Sequence, residues 1–87
     1  MRWEDLKKAV PHQWVIIEAI DAYTEGNNRI IEDIQLVDVF GDDDIAAQRR
    51  YAQLHKARPM NEYYIVHTDR RKLDVEVRYW AGVRPRR

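Results

Sequence analysis

The sequence predicts an α+β domain. A short N-terminal helix comes first, followed by a long antiparallel β-hairpin, one main α-helix, and one or two further strands, arranged as helix-on-sheet in two layers. Three observations predict this. Two long runs rich in Ile and Val flank Glu25-Gly26-Asn27-Asn28. Ala47, Tyr51 and Leu54 recur at helical spacing between a run of aspartates and Pro59. Leu73, Val75, Val77 and Tyr79 alternate with Asp74, Glu76, Arg78 and Trp80, a period of two. With 87 residues, the chain buries only about 60–65% of its unfolded surface, so one domain over 1–87 is expected, with 84–87 fraying.

Trp3, Leu6, Lys7 and Val10 fall at i, i+3, i+4 and i+7, a short helix with an apolar stripe that Pro11 stops. From Gln13 to Phe40 the chain reads as two strands. Gly and Asn tolerate the positive φ of tight hairpin turns. A two-residue Gly26-Asn27 loop sets Tyr23 opposite Ile30, Ala19 opposite Ile34 and Ile17 opposite Leu36, with Asp21 facing Glu32 as a like-charge pair. Val15, Ile17, Ala19, Tyr23, Ile30, Ile34, Leu36 and Phe40 then share one face. Asp42 to Ala57 reads as the main helix: an aspartate caps it, the acids complement the positive end of the macrodipole, and basic residues gather at the other end. Ala47, Tyr51 and Leu54 form its inner face, with Ile45 and Ala52 nearly opposite. Glu62 to Thr68 is rich in β-formers. For 69–80 the alternation favours a strand over a helix capped by Thr68 with Leu73, Val77 and Trp80 inward.

The second face of the hairpin carries Trp14, Ile16, Ile20, Ala22, Ile31, Val37 and Val39, broken only by Glu18, Asp33 and Gln35. A half-solvated antiparallel sheet shows a polar outer face. Two apolar faces both need cover, and one long helix and one short helix provide too little. A second copy is the expected remedy, sheet against sheet or edge to edge, because an isologous contact needs only one self-complementary patch. Trp14, Ile16, Ile20, Val37 and Val39, with Ile45 and Ala52 as a second patch, are the expected interface of a homodimer. The alternative is a C-terminal segment that folds across and completes the monomer.

Net charge is zero, yet its distribution is lopsided: residues 1–44 hold four basic and eleven acidic side chains, and residues 45–87 hold eleven and four. Arg makes bidentate contacts with phosphate and stacks on aromatic rings. Arg70, Arg71, Lys72, Arg78 and Arg84, interleaved with Tyr79 and Trp80, are therefore candidate nucleic-acid or anion contacts. Against this, acidic and basic segments lying side by side neutralise one another, and domains that bind through phosphates carry net positive charge.

Other chemistry is largely excluded. The chain has no Cys and no Ser, which removes disulfides, thiolate sites and both common nucleophiles. No phosphate-cradling glycine loop is present. His12, His55 and His67 lack metal-ligand spacing, and Asp38 with Asp42, Asp43 and Asp44 fails the calcium-loop pattern, so no metal and no cofactor is expected. His55 or His67 beside a carboxylate is the only candidate catalytic pair. His67-Thr68-Asp69 places a base, a hydroxyl and an acid in series, but adjacent strand residues point to opposite faces and cannot converge without a bulge. No apolar run approaches the roughly 18 residues that span a bilayer, and the first residues lack the apolar core of a signal peptide. The expectation is a cytoplasmic, non-enzymatic interaction module.

Overall fold

The computed structural model describes residues 1–71 and 73–76. Its elements run α1 (Trp3–Ala9), β1 (Trp14–Glu25), β2 (Asn28–Gly41), α2 (Asp44–Ala57), β3 (Tyr63–His67) and β4 (Asp74–Glu76). The strands form one antiparallel sheet in the order β3-β1-β2-β4. The α+β class and its predicted order of elements are those of the sequence. Of the two readings of 69–80, the described part adopts the strand, with Asp74, Val75 and Glu76 opposite Ile30, Arg29 and Asn28. Val77 to Trp80 lie outside the described residues.

Local chemistry accounts for each boundary. α1 has no side-chain N-cap; packing holds it, through buried Trp3 and Leu6. Pro11 ends it, and His12 at φ 56 turns the chain into β1. The hairpin closes through the predicted two-residue loop, Glu25 opposite Asn28. Gly26 sits at φ 62, and positive φ at the first loop position alone is the type II′ pattern that matches strand twist. Asp43 caps α2, its side chain accepting from Ala46 N–H at 3.0 Å.

The predicted register holds at Tyr23–Ile30, Ala19–Ile34 and Ile17–Leu36. Irregularities between these points change what faces where. Near the tip Asp21 meets Asp33 instead of Glu32. The N-terminal ammonium donates to Asp33 and holds that carboxyl below its ordinary range, which offsets the like-charge pair. Near the base the pairing steps from Ile17–Leu36 to Ile16–Asp38, and from Val15–Val39 to Trp14–Gly41. Val37 and Phe40 are the extra residues. A bulge breaks strict alternation, so Phe40 leaves the face of Val15, where the sequence put it, and packs with Val37 around Ile16.

Two cores result, one on each side of the sheet. Trp3 and Leu6 of α1 pack with Val15, Ile17, Ile34, Val66 and Leu73. Leu54 and Tyr51 of α2 pack with Ile16, Tyr63 and Ile65 on the other side. The short α1 thus adds a partial third layer to the helix-on-sheet arrangement. Ile16 is 0% exposed; the sequence placed it at a dimer interface, and it belongs to the monomer's own core. Val37 is half-buried in the same cluster. α2 lies directly over these residues, and that tertiary placement is invisible in the alternation pattern.

Candidate interaction surfaces

Helical cover stops halfway along the hairpin. A strand of twelve residues spans about 40 Å, and the longest dimension of the fold is 41 Å. The fourteen residues of α2 reach about 21 Å and the seven of α1 about 10 Å. Burial follows this geometry. The fully buried residues of β1 are Val15, Ile16 and Ile17, and from Ile20 to Glu25 every residue but Ala22 is exposed. Ile20 is 53% exposed and Tyr23 44%. The distal half of the hairpin is therefore an arm with apolar side chains in water.

The other predicted interface residues separate into two groups. Val39 and Ala52 are exposed, as is Ile45 at 59%. Ile45 and Ala52 lie on the outer side of α2, as their spacing requires. Trp14 is half-buried, its ring edge-on to His67 with centroids 5.1 Å apart. Ile16 and Val37 are covered, as described above. Ile20, Val39, Ile45 and Ala52 are what remains of the predicted interface on the surface.

A brace that ties the distal arm back to the head of β3 was not foreseen from the sequence. Arg29 donates to Glu62 through Nε at 2.9 Å and through Nη2 at 2.8 Å, a bidentate pair, and through Nη1 to Thr24 Oγ1 at 3.1 Å. The Tyr64 hydroxyl also donates to Glu62. The Arg29 hydrogen bonds hold the Glu62 carboxyl below the usual carboxylate range despite partial burial. Burial, then Glu62, pushes the Tyr64 phenol up to about 12. Arg29 is held in its charged form even more firmly than usual, chiefly by Glu62. Arg29 is the only Lys or Arg between Lys8 and Arg49, and nothing in the sequence marks Glu62 as its partner over the nearer acids Glu25 and Glu32. Together these bonds tie the hairpin to the head of β3.

Of the candidate anion contacts, Arg70 and Arg71 are exposed; Lys72, Arg78 and Arg84 lie outside the described residues. The backbone carbonyl of Arg70 accepts from Trp3 Nε1 at 3.0 Å, and that of Arg71 from Lys7 Nζ at 3.5 Å. These bonds dock the 70–71 segment on α1. Both arginines line an open hollow with Lys7 and Glu4, where Glu4 pairs with Lys7 at 3.9 Å. Among the described residues this is a surface of mixed sign.

The histidines are placed differently from expectation in one respect. A turn after β3, not a bulge, brings Asp69 back toward His67: Asp69 N–H donates to His67 Nδ1 at 3.1 Å, and His12 Nδ1 lies 2.6 Å from Asp69 Oδ1. Thr68 does not join them. It is buried, and its Oγ1 accepts from Gln13 N–H at 2.9 Å while its own N–H bonds Gln13 C=O. The hydroxyl is thus committed to closing the β1–β3 ladder. His55 is exposed and stacks on Tyr51, with no acid paired to it among the described residues. The aspartates serve structural ends: Asp43 caps α2, and Asp38 accepts from Val39 N–H and lies 3.8 Å from Arg50. Among the described residues no cluster of three His, Asp or Glu is placed to hold a metal, and no helix is long and apolar enough to cross a membrane.

Comparison with protein-family models, characterised proteins and solved structures finds no match to this chain.

Proposed function

We propose that this protein is a small non-enzymatic interaction module that associates with itself through the apolar sheet surface lying beyond its helices. The observation that carries the reading is the bare arm, where Ile20 and Tyr23 stand in water on a hairpin whose tip Arg29 ties back to Glu62. Exposed apolar patches of this kind mark interaction sites. The brace fixes how the patch is presented, which lowers the conformational cost of association. Catalysis has no comparable support, since each histidine and hydroxyl considered above either lies open to water or is committed to a structural bond.

The test is solution mass against concentration, by light scattering or sedimentation. The expected result is a dimer or larger species at micromolar protein, shifted toward monomer by Ile20→Asp with the circular dichroism spectrum retained. Ile16→Asp is unsuitable for this purpose, because a carboxylate at that buried site unfolds the chain. A monomer at all concentrations would remove the proposal.

A further inference from the structure

The two edges of the sheet are finished differently. The outer edge of β2 is defended at several points. β4 covers Asn28 to Ile30. Met1 C=O takes the Ile34 N–H at 2.8 Å, and the Asp38 side chain takes the Val39 N–H at 2.9 Å. The pairing of β2 with β1 is also irregular at four places, and Glu32, Asp33 and Asp38 give the edge a single sign of charge. Charge, bulges and covering segments are the devices by which strand edges avoid pairing with other chains.

β3 has none of these. Its five residues, Tyr63-Tyr64-Ile65-Val66-His67, include no Lys, Arg, Asp, Glu, Pro or Gly, and they pair with β1 without a break in register. The bonds Ala19 N–H to Glu62 C=O and Thr68 N–H to Gln13 C=O bracket the ladder. Counting by twos between them, Tyr64 and Val66 face β1. Tyr63, Ile65 and His67 present their backbone groups outward. Of these groups only the His67 carbonyl is taken, by Arg70 N–H; among the described residues no strand pairs with this edge.

We infer that β3 is the edge through which a second copy of this chain joins, antiparallel, about a two-fold axis at Ile65, to make one continuous sheet across both copies. This surface is separate from the arm and goes beyond it. The self-pairing is consistent at every rung. Ile65 meets Ile65 of the other copy, Tyr64 meets Val66, and Tyr63 meets His67. No like charges fall opposite each other, and the central rungs are apolar or aromatic, the pairs that stabilise antiparallel sheets. A self-complementary strand is what an isologous two-fold contact requires. β2 cannot offer the same, since two copies would bring its acidic edge against itself.

The chain has no Cys, so one introduced thiol can form only an intermolecular disulfide. Directly opposed residues in a hydrogen-bonded antiparallel pair have Cα atoms about 5.5 Å apart, within disulfide reach. Ile65→Cys is therefore expected to give covalent dimer on mild oxidation, in several-fold greater yield than Ile20→Cys on the arm or Gln48→Cys on α2. A second variant, Ile65→Pro, removes an outward N–H while leaving the β1 ladder intact, a position where an edge strand accepts proline. It should abolish any dimer that survives in Ile20→Asp. Cross-linking of the Ile20→Cys variant without cross-linking of the Ile65→Cys variant, in a protein that does associate, overturns the β3 edge and leaves the arm standing. A wild-type chain that stays monomeric overturns both. If Ile65→Pro does not fold, the cysteine comparison alone decides.

Discussion

The side chain of Tyr64 shows how much of the fold's chemistry rests on three groups. Its phenol is half-buried beside a carboxylate that Arg29 keeps ionised, so the neutral form is favoured twice, by desolvation and by the neighbouring negative charge. The folded chain holds this proton to about 12, whereas an unfolded tyrosine releases it near 10. The stabilisation is therefore complete below about pH 10 and is lost as pH rises toward 12. A titration followed by tyrosinate absorbance should show one phenol ionising after the others, and Tyr64→Phe should lack that late step. If all tyrosines ionise together near 10, the Glu62–Tyr64 contact is absent in solution. Glu62 acts at the opposite limit: its depressed carboxyl supplies stability above the ordinary carboxyl range, lost as pH falls through the folded value. None of this was legible beforehand, because Arg29, Glu62 and Tyr64 meet only after β3 has crossed the hairpin to the far side of β1.

At the scale of elements, legibility followed locality. The caps, stops and turn of the helices and hairpin depend on residues within a few positions of each boundary; Pro11 and Gly26 act where the sequence placed them, and the cap, read only as one of the aspartates, is Asp43. Asp43→Ala removes the one side-chain bond to the first turn of α2. It should cost about 1 kcal/mol, a midpoint lower by about 4–8 °C for a domain of this size, measured by thermal denaturation. An unchanged midpoint would mean that packing of Ala47, Tyr51 and Leu54 alone sets the start of the helix. What failed was strict alternation along β2. The bulges that turn Phe40 toward α2 leave no mark in composition, since any residue can be the extra one. Their cause lies in how a twisted ribbon meets a helix, which is a tertiary matter.

At the scale of the molecule, among the described residues only Asp38 with Arg50 joins the acidic excess of the first half to the basic excess of the second, whereas Arg29 with Glu62 and His12 with Asp69 pair the minority charge of each half. The need for cover on both sides of the hairpin was correct as physics, and the helices meet it over the proximal half only. Ile16 was assigned outward because a period-two pattern says which residues share a face but not which face a later helix will choose. The brace from the arm's tip to Glu62 has a mechanical consequence. Beyond Ile17 no buried side chain of β1 anchors the ribbon, so without the brace opening there breaks few apolar contacts, and local opening costs least where such contacts are fewest. Amide protons between Asp21 and Arg29 should exchange with deuterium well ahead of those at Val15 to Ile17, with the step between fast and slow falling near Glu62. Loss of Glu62 or Arg29 should move that step toward the base of the sheet, fraying the ribbon from its tip like a cord whose whipping has been cut.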